Sequence, residues 1–156
     1  MATDPTPAGT AAGLPADVHT GLPPAQRTLP AILRRSAQRF GDRPLLAIGA
    51  SAWRHGDVAP AVARRAGALR AAGVSAGDRV AIMCSNRIEN LEAFLACGWI
   101  GAIAVPINTA CMGAQLDYYL GNCGARLLII EEAFLGRLES RPPAIWVPGD
   151  AYPGGG

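Results

Sequence analysis

The spacing of apolar residues along this chain changes period several times, and each change marks an element. Residues 1 to 26 carry Ala, Pro, Gly and Thr with almost no large apolar side chains. Such a stretch cannot bury enough surface to offset its ordering entropy, so it reads as a disordered leader. Order is expected from residue 27 onward. Thr28 suits a helix N-cap with Pro30 in the first turn; Leu29, Ile32, Leu33, Ser36 and Phe40 then fall near one face before Gly41 ends the helix. Leu45 to Ile48 reads as a short strand, Gly49-Ala50-Ser51 as a turn, and Ala52-Trp53-Arg54 as the returning arm of a hairpin. Helical spacing resumes from about Asp57 to Ala72, with Val58, Val62, Ala66 and Leu69 as its buried stripe. Pro60 is expected in its first turn, Arg64, Arg65 and Arg70 pointing away from the stripe, and Gly73 at the C′ position.

After a turn over Val74 to Asp78, the run Arg79 to Met83 is apolar almost throughout, as in a sheet covered on both faces. Glu89 to Trp99 reads as a helix with Leu91, Phe94 and Leu95 as its apolar face, and Ala102 to Ile107 as a second buried strand. Gly113 to Asn122 is a helix, Arg126 to Ile130 a third strand, Glu131 to Leu138 a short helix and Ala144 to Val147 a fourth strand. From Pro148 the chain reads as a loop cut off in mid-course, with 151–156 outside the domain. This alternation predicts an α/β fold with a mostly parallel sheet and helices on both of its faces.

Composition narrows the class. With 156 residues, half of them hydrophobic and 17% charged, the chain is about one domain with material for a core. The formal charge of +2 reads as spread along the chain without a basic cluster, so neither nucleic acid nor an anionic membrane is indicated. All 14 basic residues are Arg. The lack of Lys excludes a Walker-type phosphate loop, a Schiff base and a kinase lysine pair within this stretch. Cys84, Cys97, Cys111 and Cys123 are 13, 14 and 12 residues apart, too far for a zinc knuckle or a CxxC pair. They are expected to be small buried hydrophobes, kept reduced in a cytoplasmic protein. Met1 to Gln26 lacks the basic start and apolar stretch of a secretory signal. The apolar run 93–107 is shorter than the ~20 residues of a membrane span and is interrupted by Gly98, Gly101 and Pro106.

Open α/β sheets bind ligands at the carboxyl ends of their strands. Those ends here are Cys84-Ser85-Asn86-Arg87, Pro106-Ile107-Asn108-Thr109 and Glu131-Glu132. Asn86 and Arg87 have the chemistry to hold an anion, but fit better as a helix cap and a solvated first-turn residue. Glu131 and Glu132 fit helix capping better than a carboxylate pair, because adjacent helix positions point apart. No GxGxxG follows a strand, and Gly98 to Gly101 leads from helix to strand, the reverse order. His19 and His55 are too far apart to form a metal site or catalytic pair, and Trp53, Trp99 and Trp146 are expected to pack. No residue is assigned a catalytic, cofactor-binding or metal-binding role.

The stretch from Trp53 to Ile130 resembles the opening section of the adenylate-forming (AMP-binding) superfamily, which includes acyl-CoA synthetases and peptide-synthetase adenylation domains. The resemblance rests on Ala71-Ala72-Gly73-Val74-Ser75-Ala76-Gly77-Asp78-Arg79-Val80-Ala81-Ile82, on Glu92 through Asn108 with its Gly-Ala turn and Val105-Pro106-Ile107-Asn108, and on Leu116-Asp117-Tyr118-Tyr119-Leu120, Asn122 and Gly124 to Ile129. The wording from Pro106 to Leu116 is similar to the crotonobetaine/carnitine–CoA ligase-like branch. The resemblance implies that 27–150 is an incomplete N-terminal subdomain of an adenylate-forming enzyme. The implied reaction joins a carboxylate to coenzyme A through an acyl-adenylate, with ATP and Mg²⁺. The family's Ser/Thr/Gly-rich phosphate loop, nucleotide motifs and catalytic lysine belong to later segments, so none is carried over here. Where the family carries Thr and Tyr this chain has Arg54 and His55. Some members also carry an Arg just after the Val-Pro-Ile-Asn strand; here Ala110, Cys111 and Met112 leave that coenzyme A contact unsupported. Three readings follow: a ligase fragment inactive alone, whose partner is the remainder of the ligase domain; a stand-alone binding module; or one half of a split ligase.

Overall fold

Four apolar runs become the strands of one parallel sheet, and the period-2 alternation within each run decides which residue meets which layer. The computed structural model describes residues 23–142 and 144–148. The leader expected over 1–22 and the loop from 149 onward lie outside the described residues. Pro24–Gln26 forms a short 3-10 helix, so structure begins slightly before residue 27. The elements that follow are α1 (Leu29–Phe40), β1 (Pro44–Ile48), β2 (Ser51–Arg54), α2 (His55–Ala71), β3 (Arg79–Met83), α3 (Ile88–Ile100), β4 (Ile103–Pro106), α4 (Gly113–Cys123), β5 (Leu127–Ile130), a 3-10 helix (Glu132–Arg137) and β6 (Ile145–Trp146). The expected helix over Glu131 to Leu138 is thus 3-10 in form.

The main sheet has the order β4-β3-β5-β6, with all pairs parallel. Successive side chains of a strand alternate in face. Val80, Ile82, Leu127 and Ile129 therefore pack on one side with α2 and α3, and Ala81, Met83, Leu128 and Ile130 on the other with Leu116 and Leu120 of α4. Every residue of β5 is buried, which is why its sequence shows no polar alternation. Helices on both faces of a parallel sheet are what the sequence predicts.

The hairpin β1–β2 is antiparallel and separate from the main sheet. With α1 it forms an outer tier against α2. Thr28 caps α1 as expected, its Oγ1 accepting from the Ala31 N–H at 3.4 Å. Yet no residue of α1 is buried, and in the hairpin only Trp53 is.

Several expectations need correction. α2 starts at His55, two residues early, because Asp57 Oδ2 accepts from the Arg54 N–H at 2.8 Å. Pro60 thereby falls past the first turn, where it has no N–H to donate to the Gly56 carbonyl. Arg65 does not point away: it is 9% exposed, because α2 is covered by neighbours on more than one side. Its Nη2 donates to Glu92 Oε2 at 2.6 Å and its guanidinium lies 4.4 Å from the centre of the Trp146 ring. Phe94, expected on the packed face of α3, is 48% exposed. The buried stripe of α3 is Ala93, Ala96, Cys97 and Ile100, small residues that let the helix approach the sheet. Charge is not spread evenly either: 27–54 holds six of the fourteen arginines against Asp42 alone.

Candidate functional site

The β3-α3-β4 connection leaves the sheet on one face and the β4-α4-β5 connection returns on the other, crossing back over β3. Such a reversal opens a crevice at the carboxyl ends of β3 and β5, the usual ligand position in an open α/β sheet. The residues brought there are Cys84, Ser85, Asn86, Arg87, Asn90 and Glu131.

Glu131 dominates the geometry. Its N–H continues the sheet by donating to the Met83 carbonyl at 3.2 Å. Its Oε1 accepts from both the N–H and the hydroxyl of Ser85, each at 2.6 Å. Oε2 lies 3.8 Å from Arg87, whose guanidinium also donates to Glu89 at 3.3 Å. Asn90 completes the clasp, its side-chain amide donating to the Cys84 and Ser85 carbonyls at 3.4 and 3.2 Å. Glu131 therefore does not cap its own helix, as the sequence suggested; it ties the loop after β3 to the end of β5. Nor is Asn86 the cap of α3. Arg87 occupies that position, and it is half-exposed and ion-paired rather than freely solvated.

The electrostatics follow from these pairings. The Glu89 carboxyl is held below its usual range, chiefly by a backbone N–H and then by Arg87, while the hydrogen bond to Glu89 raises Arg87 further. Burial pushes the Cys84 thiol up to about 11, and the Glu131 charge adds to the effect. Cys84 is thus a neutral thiol at physiological pH, unsuited to act as a nucleophile.

ATP phosphates and Mg²⁺ do not fit this crevice. A phosphate needs unspent N–H and O–H donors with net positive charge. Here both donors of Ser85 go to Glu131, and Arg87 is shared between two carboxylates. Among the described residues no three His, Cys, Asp or Glu side chains converge as a metal site.

Two further contacts lay beyond the reach of sequence spacing. Arg137, from the 3-10 helix after β5, donates to the Thr109 carbonyl and lies 4.6 Å from the centre of the Phe134 ring. A cation thus reaches the loop after β4 from a distant segment, although none stands in that loop. His55 Nδ1 sits 2.6 Å from Ser36 Oγ, joining α2 to α1. Among the described residues no carboxylate orients that ring, so the pair is a structural tie rather than a nucleophile and base. Cys84, Cys97 and Cys111 are buried and Cys123 half-buried, all as free thiols. No helix among the described residues is long and apolar enough to cross a membrane.

Comparison with known proteins agrees with this fold. The family model described as "AMP-binding enzyme" matches residues 33–147. A feruloyl-CoA synthase from Amycolatopsis is 43% identical over 81 residues, covering 52% of this chain and 16% of that protein. The 3-hydroxybenzoate/4-hydroxybenzoate–CoA ligase of Thauera aromatica is 32% identical over 127 residues, covering 77% of this chain and 24% of that protein. The solved N-terminal subdomain of Klebsiella oxytoca NpsA, in complex with anthranilyl-AMSN, superposes with a TM-score of 0.70 at 25% identity. That superposition covers 85% of this chain and 33% of the subdomain chain. The chain therefore spans under a quarter of the length of these two curated relatives.

Proposed function

The chain belongs to the AMP-binding enzyme family, and on that premise we propose that it supplies the opening section of the activating domain of an ATP-dependent acid–thiol ligase and is inactive alone. The observation that carries this reading is the state of the strand ends. They stand where such a sheet binds ligands, yet Glu131 and Glu89 spend the donors and charge that a nucleotide would need. The sheet is then a scaffold on which later segments of the domain present the nucleotide site.

Sequence wording around Pro106 to Leu116 resembles a crotonobetaine/carnitine-type branch, whereas two of the relatives are named for the aromatic acids ferulate and hydroxybenzoate. An aromatic carboxylate is accordingly the first acid to try. ATP–pyrophosphate exchange tests the reading. The 156-residue chain is expected to show none with any acid, and to show exchange once the downstream portion of a relative's ligase domain is added. Exchange by the chain alone overturns the reading. Silence in the reconstituted mixture favours the stand-alone binding module over one half of a split ligase.

A further inference from the structure

The crevice at the carboxyl ends of the strands spends its polar groups on itself; a second cleft, at the amino ends of β5 and β6, does not. It opens between α4 and the loop that leads into β6, with a volume of about 230 Å³. Leu120, Ala125, Leu128 and Pro142 form its apolar surface, and Asp117, Ser140 and Arg141 bring its polar side chains.

Local structure explains the placement. Leu116 and Leu120 of α4 are buried against the sheet, and Asp117 stands one residue, about 100° of helix turn, from Leu116. That turn puts it on the flank of α4, half-buried. On the other wall, the Leu128 N–H donates to the Ala144 carbonyl at 2.9 Å and Leu128 pairs with Ile145. Residues 140–142 are thereby drawn alongside the start of β5.

The polar groups of this cleft are unspent. Asp117 Oδ1 is shut off from water and has no hydrogen-bond partner. Among the described residues, no ion pair reaches the Asp117 carboxylate, and neither Ser140 nor Arg141 is hydrogen-bonded or ion-paired. A carboxylate taken partly out of water gains most from a cation placed against it. Arg141 is exposed and carries the opposite charge into the same cleft. A ligand with one charge would satisfy one of these groups and leave the other uncompensated. The volume lies below the ~300 Å³ at which pockets for drug-sized molecules begin, so the ligand is small.

We propose that this cleft binds a small zwitterion with an apolar body, an α-amino acid with an aliphatic side chain. Its ammonium sits on Asp117, its carboxylate on Arg141 and Ser140, and its side chain over Leu120, Ala125 and Leu128. Ser85 and Glu131 lie at the other ends of the strands, so this ligand does not share their crevice. The inference does not rest on the ligase reading.

The full 156-residue chain, labelled with ¹⁵N, is titrated with L-leucine and with two probes that each keep one of its charges, isoamylamine and 4-methylpentanoate. L-Leucine is expected to give saturable amide shifts at Gly121, Ala125, Ser140 and Arg141, and each single-charge probe to bind at least tenfold more weakly. Asp117→Asn and Arg141→Gln should each raise the Kd for L-leucine about tenfold or more. Tyr118→Ala, exposed on α4, should leave it unchanged. Asp117→Asn should weaken isoamylamine and spare 4-methylpentanoate, and Arg141→Gln should do the reverse. Because Arg141 is exposed, Arg141→Gln keeps the test valid even where Asp117→Asn disturbs the fold. No saturable shifts, shifts confined to residues 85–90, isoamylamine binding as tightly as L-leucine, or L-leucine binding indifferent to both substitutions each overturns the site. Closure of Arg141 onto Asp117 in the free chain, seen as Gly121 shifting on Arg141→Gln while L-leucine shifts nothing, overturns it as well.

Discussion

At the scale of single residues, the most consequential contact is the one Arg65 makes at once with Glu92 and the Trp146 ring. Burial lowers the Arg65 pKa, and the Glu92 carboxylate works against that shift to keep the cation charged. Removing one partner of a buried pair strands the other, at a cost of roughly 3 kcal/mol. Arg65→Ala should therefore lower unfolding free energy by about that much, whereas Arg65→Met, which fills the volume and keeps the contact with Trp146, should cost less when paired with Glu92→Leu. Urea denaturation of the singles and the double gives the coupling directly. Thiols supply a second test. Burial raises both Cys84 and Cys97 from 9.0 to about 11. An unfolded thiol deprotonates first, so the stability they confer is complete below pH 9 and lost as pH rises from 9 to 11. Urea midpoints should fall between pH 8.5 and 10.5, and Cys97→Ala should flatten that slope. Neither Arg65 nor Phe94 was legible in the sequence. Helical spacing gives one stripe per helix, and it does not tell how many sides of that helix will be covered.

At the scale of elements, the strands were readable because each is a continuous apolar run, and a run buried on both faces needs no partner to be recognised. Helix starts were less so: α2 begins early because Asp57 reaches back to the Arg54 N–H, a three-residue relation that the Pro60 signal masks in the sequence. The edge strand β4 illustrates how little separates a protected edge from an exposed one. Its outward N–H groups are those of Ala104 and Pro106, and proline supplies none. Pro106→Val should add an outward donor to an uncharged edge and raise self-association, visible as concentration-dependent light scattering. A monodisperse variant with unchanged scattering would show that α4 already shields that edge. Arg79 is a further element-level device that sequence spacing did not reveal. From the start of β3 it donates to the Cys123 and Gly124 carbonyls at 3.0 Å each, satisfying the end of α4.

For the whole molecule, burial is graded from the sheet outward. β5 is buried at every position and α1 at none, so local opening should follow that order. Amide exchange in α1 is expected to be at least a hundredfold faster than in β3 and β5; uniform protection would refute the grading. Apolar periodicity by itself determined the α/β class and the four sheet strands, and the motif residues from Ala71 to Ile129 carried the family resemblance, because each is written in consecutive residues. Composition excluded lysine chemistry for the same reason. Only the tertiary structure decided that Glu131 would clasp Ser85, that Arg137 would reach Thr109, that Arg65 would be buried and that α1 would be only half-buried. Those outcomes depend on which segments the sheet order makes neighbours. The crossing of β4-α4-β5 over β3 brings together residues more than forty positions apart, and local spacing carries no record of that distance.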